Sequence, residues 1–189
     1  METMHFAIGT SSLGLVLVAT TEKGIRAVQI GDNAESLRRE LAKRFPLATL
    51  RVADASTTAL AEKVIGFIES PTRKIDLPLD IRGTAFQRMV WQALRGIPAG
   101  STASYTDVAR RIGKPTSARA VAHACATNAV AILIPCHRVL RSDGSLSGYC
   151  WGVERKRALL ERERTQLRRS QLPTSPHDPA EAGAHASFA

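Results

Sequence analysis

Residues 4–30 hold three short β-rich runs, HFAIG, LGLVLVAT and IRAVQIG, parted only by the turn-forming stretches TSS and TTEKG. Gaps of that length and chemistry join neighbouring antiparallel strands, so the chain must open as a meander. Asp32 and Asn33 then offer caps for an amphipathic helix through LRRELAKRF, and a second helix through TALAEKVIGFIES stops before Pro71. Strands followed by helices make residues 1–82 an α/β unit. The stretch IDLPLDIRG has two strand-like halves around Pro78 and reads as the bridge to a second unit.

Residues 83–166 read as mainly helical, which makes the whole chain α+β. In TAFQRMVWQALRG the apolar residues Phe86, Met89, Val90, Ala93 and Leu94 fall on one face of a helix. Ser104 and Asp107 form a capping-box-like start, with aspartate in place of the usual glutamate, for the short helix YTDVARRI. Gly113-Lys114-Pro115 breaks it, and another helix runs from about Thr116 to Ala126. Helix, glycine-containing turn and helix make a helix-turn-helix, a pattern that binds DNA in some chains and only fills all-α cores in others. On the second of these helices Arg119 and His123 share a face with Ala122 and Ala126, while Val121 and Cys125 share another that points inward. One long cation among small side chains lets a nucleic-acid backbone approach closely; a solvated helix face is the plain alternative.

With 189 residues, 44% of them hydrophobic, the chain can build a real core in one or two domains. Its net charge of +9 is spread along the sequence rather than gathered in a tail. That favours attraction to polyanions, nucleic acid first among them, with ordinary solubility as the competing explanation. The cysteines are Cys125, Cys136 and Cys150, so no disulfide framework is needed, a reducing cytoplasm fits, and a four-cysteine metal site cannot be built. No metal and no cofactor are expected. No basic stretch leads into an apolar region at the N-terminus and GLVLVA is too short to span a bilayer, so neither secretion nor a membrane partner is expected.

The pentapeptide PCHRV, Pro135 to Val139, follows the apolar run AVAILI and sets a thiol beside an imidazole. Thiolate is the reactive form of cysteine, and His137 and Arg138 could supply the base and the positive surroundings that populate it. Pro135 biases Ile134 toward an extended conformation, so a strand ending in an outward presentation of Cys136 is expected. A half-buried cysteine beside a surface histidine is the alternative. Asp143-Gly144 and Ser147-Gly148 then fold the chain back over the cysteine loop. On a helix from about Gly152 to Gln166, Glu163 lies in line with Leu159 and Leu160; buried there it needs a partner, either His137 or one of the arginines. Residues 167–189 lose apolar periodicity, turn to Pro, Ser, Ala and His, and read as a disordered tail with His177 and His185 in solvent.

The segments GTAFQRMVWQAL, SYTDVARRIGKPTSARAVAHACATN, IPCHRVLRSDGSLSGY and WGVERKRALLERE together resemble the O6-alkylguanine-DNA alkyltransferases, also called methylated-DNA-protein-cysteine methyltransferases. Within that family the likeness is to the C-terminal repair domain of the bacterial adaptive-response members, and it extends from the first strand to Glu163. It implies a ribonuclease-H-like N-terminal domain followed by a winged-helix-like domain. The implied activity is direct-reversal DNA repair. An alkyl group passes from O6-alkylguanine, and from O4-alkylthymine, in double-stranded DNA to Cys136, irreversibly and once per molecule. The implied protein is a cytoplasmic, nucleoid-associated monomer without a cofactor.

Carried over by position, the resemblance makes Cys136 the alkyl acceptor, His137 its base through a bound water, and Glu163 the carboxylate that orients His137. Asn128 becomes the hinge between the recognition helix and the cysteine loop, and Arg119 the finger that enters the base stack, on a DNA-facing surface shared with Ala122 and His123. Tyr105 lies beside the flipped guanine and its phosphate and donates to the departing base. Val139 and Tyr149, with Cys150 and Trp151, line the guanine pocket.

His123 stands where relatives tend to have a small residue and is expected to contact phosphate when protonated. Cys150 stands where others have Ser or Arg, which leaves a hydrogen bond to O6 to a backbone N–H. Bulky Trp151 is expected to narrow the pocket and so to favour small alkyl groups. No zinc module precedes the first strand, so phosphotriester repair and methylation-triggered transcriptional activation are not expected. Three readings compete: an alkyltransferase-like binding protein, which would normally lack the cysteine; a helix-turn-helix regulator dimerising on palindromic sites; and a thiol hydrolase using Cys136 and His137.

Overall fold

The computed structural model describes residues 2–71 and 75–171, which form a mixed α+β fold. Strands β1 (Glu2–Ser11), β2 (Gly14–Thr21) and β3 (Gly24–Gly31) make the expected antiparallel meander. Helix α1 (Ala34–Arg44) starts where the Asn33 side chain accepts from the Ser36 N–H at 2.9 Å. The chain then returns as β4 (Ala48–Val52), parallel to β1, to give the order β3-β2-β1-β4. This strand is absent from the sequence reading because ATLRV is a short edge strand with three of its residues exposed, and so carries no apolar alternation. Asp54 caps α2 (Ala55–Glu69) by accepting from the Thr57 N–H at 2.7 Å.

Alternate residues of β2 face opposite sides of the sheet. Leu17 and Ala19 pack with Met4, Ala27 and the α1 residues Leu37 and Leu41. Val16 and Val18 pack on the other side with Val28, Ile30 and the α2 residues Ala61, Val64 and Ile68. That second core continues without a break into α3 (Ala85–Arg95), α4 (Tyr105–Arg111) and α5 (Ala118–Ala126) through Val90, Leu94, Val108 and Val121. Two short strands, β5 (Ala103–Ser104) and β6 (Val139–Leu140), pair in parallel, and α6 (Val153–Gln171) closes the core with Leu159. The capping box at Ser104 and Asp107 is present, and a second one joins Thr84 to Gln87 at the start of α3.

Four expectations need correction. Phe86, Val90, Ala93 and Leu94 of α3 pack into the core as expected, but Met89 is exposed and Trp91 is buried, its indole N–H donating to the Ala124 carbonyl at 2.8 Å. IDLPLDIRG forms no strand pair beyond a bridge of Leu79 to Ile25, where the Pro78 carbonyl accepts from the Ile25 N–H at 2.8 Å. The run AVAILI is not a strand either. Val130 bridges to Val28, Ala131 bridges to Ile134, and the chain reverses at Ile132, whose φ is 70°. Finally α6 continues to Gln171, so residues 167–171 are helical; the rest of the expected tail, with His177 and His185, lies outside the described residues.

Gly24 turns the chain from β2 into β3 at φ 130°, and a Cβ there would sit 2.3 Å from the Pro78 carbonyl oxygen. Gly66, exposed on α2, has nothing within 4 Å of an added Cβ. Gly24→Ala is therefore expected to destabilise by about 2 kcal/mol or more, and Gly66→Ala to stabilise by about 0.5–1 kcal/mol. Urea unfolding midpoints of the two variants read the opposite signs directly.

Candidate active site

The loop that follows α5 is fixed by the free edge of β3. The Val28 N–H donates to the Ala129 carbonyl at 2.8 Å, and the Ala131 N–H returns to the Val28 carbonyl at 3.4 Å. Asn128, fully buried, holds the same loop from inside: its Oδ1 accepts from the Val130 N–H at 2.9 Å and its Nδ2 donates to the Ile134 carbonyl at 2.9 Å. Nδ2 also lies 3.3 Å from Cys136 Sγ. After Pro135 the chain makes a single 3-10 turn, Cys136–Arg138, before entering β6.

Cys136 is 4% exposed and lines a cavity of about 670 Å³ between α4, α5 and the loop around Tyr149. The expected outward presentation on a strand end is thus replaced by a thiol in the inner wall. Burial pushes that thiol up, to about 11, against the Asn128 hydrogen bond and the charge of Lys156. The Arg138 guanidinium and the His137 Nε2 both turn to Glu163, so neither sets a positive charge beside the sulfur in the resting site.

Their partner is Glu163, at 0% exposure on α6. His137 Nε2 lies 2.8 Å from Glu163 Oε1, Arg138 Nη2 donates to the same oxygen at 2.8 Å, and the Gly100 N–H donates to Oε2 at 2.9 Å. The histidine and the arginine, alternatives in the sequence, are both taken. Burial pushes the Glu163 carboxyl up, but the hydrogen bond and charge of His137, with the hydrogen bonds from Arg138 and the Gly100 N–H, outweigh it and hold the group at about 2. Burial also lowers His137, against the pull of Glu163. An ionised carboxylate only accepts, so a neutral His137 carries its proton on Nε2 and presents Nδ1 as a lone pair. Nδ1 is buried without a protein partner among the described residues.

A second polar chain reaches the cavity from α6. Lys156 Nζ, buried, donates to the Val139 carbonyl at 2.6 Å and to Ser147 Oγ at 3.0 Å; Ser147 Oγ is 2.5 Å from the Tyr105 hydroxyl. Tyr105 and Ser147 both line the cavity. In the sequence Ser147 reads only as a turn residue and Lys156 as solvated, although Lys156 shares the apolar stripe of Leu159, Leu160 and Glu163, where a charge needs a reason.

The cavity rim carries Arg119, exposed on α5, with Ala122 and Ala126 on the same wall and Arg141 and Ser142 also lining it. His123 is exposed on α5 but does not line the cavity. Tyr149 and Cys150 do line it, and the Cys150 thiol donates to the Ala126 carbonyl at 3.0 Å. Val139 and Trp151 do not. Val139 is fully buried behind the wall, and Trp151 is a core residue whose ring meets Tyr149 edge-on at 5.1 Å, so the expected narrowing by Trp151 is absent.

The sequence profile described as "6-O-methylguanine DNA methyltransferase, DNA binding domain" matches residues 85–165. The chain is 51% identical over 160 residues to the bifunctional transcriptional activator/DNA repair enzyme Ada of Escherichia coli, covering 85% of this chain and 45% of that protein, so it spans less than half of that relative's length. It is 37% identical over 169 residues to the inducible methylated-DNA-protein-cysteine methyltransferase of Bacillus subtilis, covering 89% of each. Among solved structures it superposes on Mycobacterium tuberculosis OGT in complex with DNA with a TM-score of 0.70 at 31% identity, covering 87% of this chain and 94% of that one.

Glu163 is held below its ordinary value of 4.5, so its contribution to stability is complete above that pH and is lost as the pH falls toward 2. Glu163→Gln leaves the buried Arg138 guanidinium without its anion and is expected to cost about 3–5 kcal/mol at neutral pH. The deficit should shrink as the pH is lowered through the same window. Urea midpoints of the two proteins across that range check it, and a deficit that ignores pH contradicts it.

Proposed function

The chain belongs to the O6-methylguanine-DNA methyltransferase family, and from that premise we propose that it repairs DNA by moving the alkyl group of O6-alkylguanine, in duplex DNA, onto Cys136. The observation that carries the reading is a cysteine thiol in the wall of a cavity large enough for an everted base, with an imidazole Nδ1 left open beside it in sequence. The reading divides the chain at about residue 82 into a ribonuclease-H-like unit and a winged-helix-like unit that binds DNA and does the chemistry; the profile match to residues 85–165 supports that division.

A base stacked in duplex DNA hides its O6 substituent, so the nucleotide must leave the stack, at a cost of a few kcal/mol. Arg119, exposed at the rim of α5, fills the gap and offsets part of that cost. The small side chains of Ala122 and Ala126 let the phosphate backbone lie close to the helix, and His123 adds a donor further out. The net charge of +9 supplies the sequence-independent attraction.

Once the base is in the cavity, His137 Nδ1 takes the Cys136 proton through a water molecule, and the imidazolium so formed is stabilised by Glu163 at 2.8 Å. The sulfur forms a bond to the alkyl carbon as the C–O6 bond breaks and its electron pair passes to the purine. The proton given up by the thiol balances the one that guanine gains. Tyr105, lining the cavity, donates to the departing base. Cys136 is left as a thioether, which offers water no carbonyl to attack, so each molecule acts once. The protein acts in this reading as a cytoplasmic monomer on the nucleoid, with O4-alkylthymine as a further substrate.

Incubation with a duplex carrying one O6-methylguanine is expected to add a single methyl to the protein, mapped to the Cys136 peptide, with a yield that stops at one per molecule. Cys136→Ala should bind the same duplex and gain no mass. Binding without transfer by the unaltered protein defeats the proposal.

A further inference from the structure

Resting on the alkyl-transfer reading, we infer that Lys156 and Ser147 are positioning residues that hold the Tyr105 hydroxyl as a hydrogen-bond donor toward the departing base. The contacts that carry this are used by neither Cys136 nor His137. Lys156 is 1% exposed, its ammonium held by the neutral Val139 carbonyl and Ser147 hydroxyl, and among the described residues no carboxylate forms an ion pair with it. A buried cation with only neutral acceptors is costly to fold around, so a purely structural role is a poor reason to keep it. Ser147 is also buried, and it links that cation to Tyr105, a cavity-lining residue.

The ammonium sets the direction of the chain. Lysine only donates, so Ser147 Oγ accepts from Lys156 and its own proton is driven to the far side, where Tyr105 Oη lies 2.5 Å away. Tyr105 Oη then accepts from Ser147, and its own O–H is freed for an acceptor inside the cavity. Polarised from behind by a buried positive charge, that phenol donates most strongly when negative charge collects on the purine as the C–O6 bond breaks. No proton need leave Lys156. The chain supplies orientation and field, so its effect falls on the transfer step and not on DNA binding.

The test is single-turnover methyl transfer from an O6-methylguanine duplex at saturating protein, with affinity for the same duplex measured separately by fluorescence anisotropy at fixed salt. Ser147→Ala deletes one oxygen and is expected to slow transfer roughly tenfold with unchanged affinity. Ser147→Thr, which keeps the hydroxyl, should restore the rate. Lys156→Met should be at least as slow as Ser147→Ala, since it also removes the charge that draws the Cys136 thiol down, and the double variant should be little slower than Lys156→Met. Should Lys156→Met fail to fold, the serine pair decides alone. Transfer by Ser147→Ala at the unaltered rate, a loss tracking weakened DNA binding, or a Ser147→Thr variant that stays slow overturns the inference. Unaltered protein that binds the duplex but takes up no methyl overturns the alkyl-transfer reading instead.

Discussion

The carboxylate of Glu163 is the constraint around which the site is organised. Stripped of water, it must be repaid in donors, and they come from separate stretches of chain: the His137 and Arg138 side chains of the 3-10 turn and the Gly100 N–H ahead of β5. Satisfying one anion therefore fixes where α6, the cysteine turn and the loop before β5 stand relative to one another. It also fixes which imidazole nitrogen is left available. Arg138 takes the structural share of this arrangement, donating onward from Nη1 to the Ile97 carbonyl at 2.6 Å, and so is not a source of positive charge for the thiol.

The sheet contributes more than a platform. Its β3 edge receives the loop between α5 and the cysteine, and Arg44 at the end of α1 donates to the Thr127 carbonyl just past α5. That carbonyl lies at the negative end of the α5 dipole, where a cation is favourable. The helix bearing Arg119 is thus held at its C-terminus by the N-terminal half of the chain, and one apolar core runs between the two.

Much of this was legible in the sequence, and the failures have physical causes. Caps at Asn33 and Ser104 announced their helices because a side chain must satisfy the first free N–H groups. Glu163 announced itself as a charge on an apolar stripe. Lys156 met the same criterion and went unread, since lysine is so often a solvated residue. What periodicity cannot carry is the state of Cys136. PCHRV places thiol and imidazole side by side, but burial by residues distant in sequence decides that the sulfur sits in a wall as a thiol and that the imidazole turns to α6. Val139 and Trp151 illustrate the same limit: adjacency to a pocket residue says nothing about which side of the wall a side chain takes.

Ile132 reverses the chain at φ 70°, a left-handed conformation that a β-branched residue enters only under compulsion, at a strain of about 1–3 kcal/mol. Glycine or asparagine would turn there without protest. Isoleucine is tolerable because its side chain is almost wholly buried in the shared core, so the hairpin bend is clamped by hydrophobic matter rather than by backbone preference. The reactive loop is in that sense a sprung part: its shape persists only while the interior grips it, and any remodelling of the cavity wall has to begin with the packing beneath.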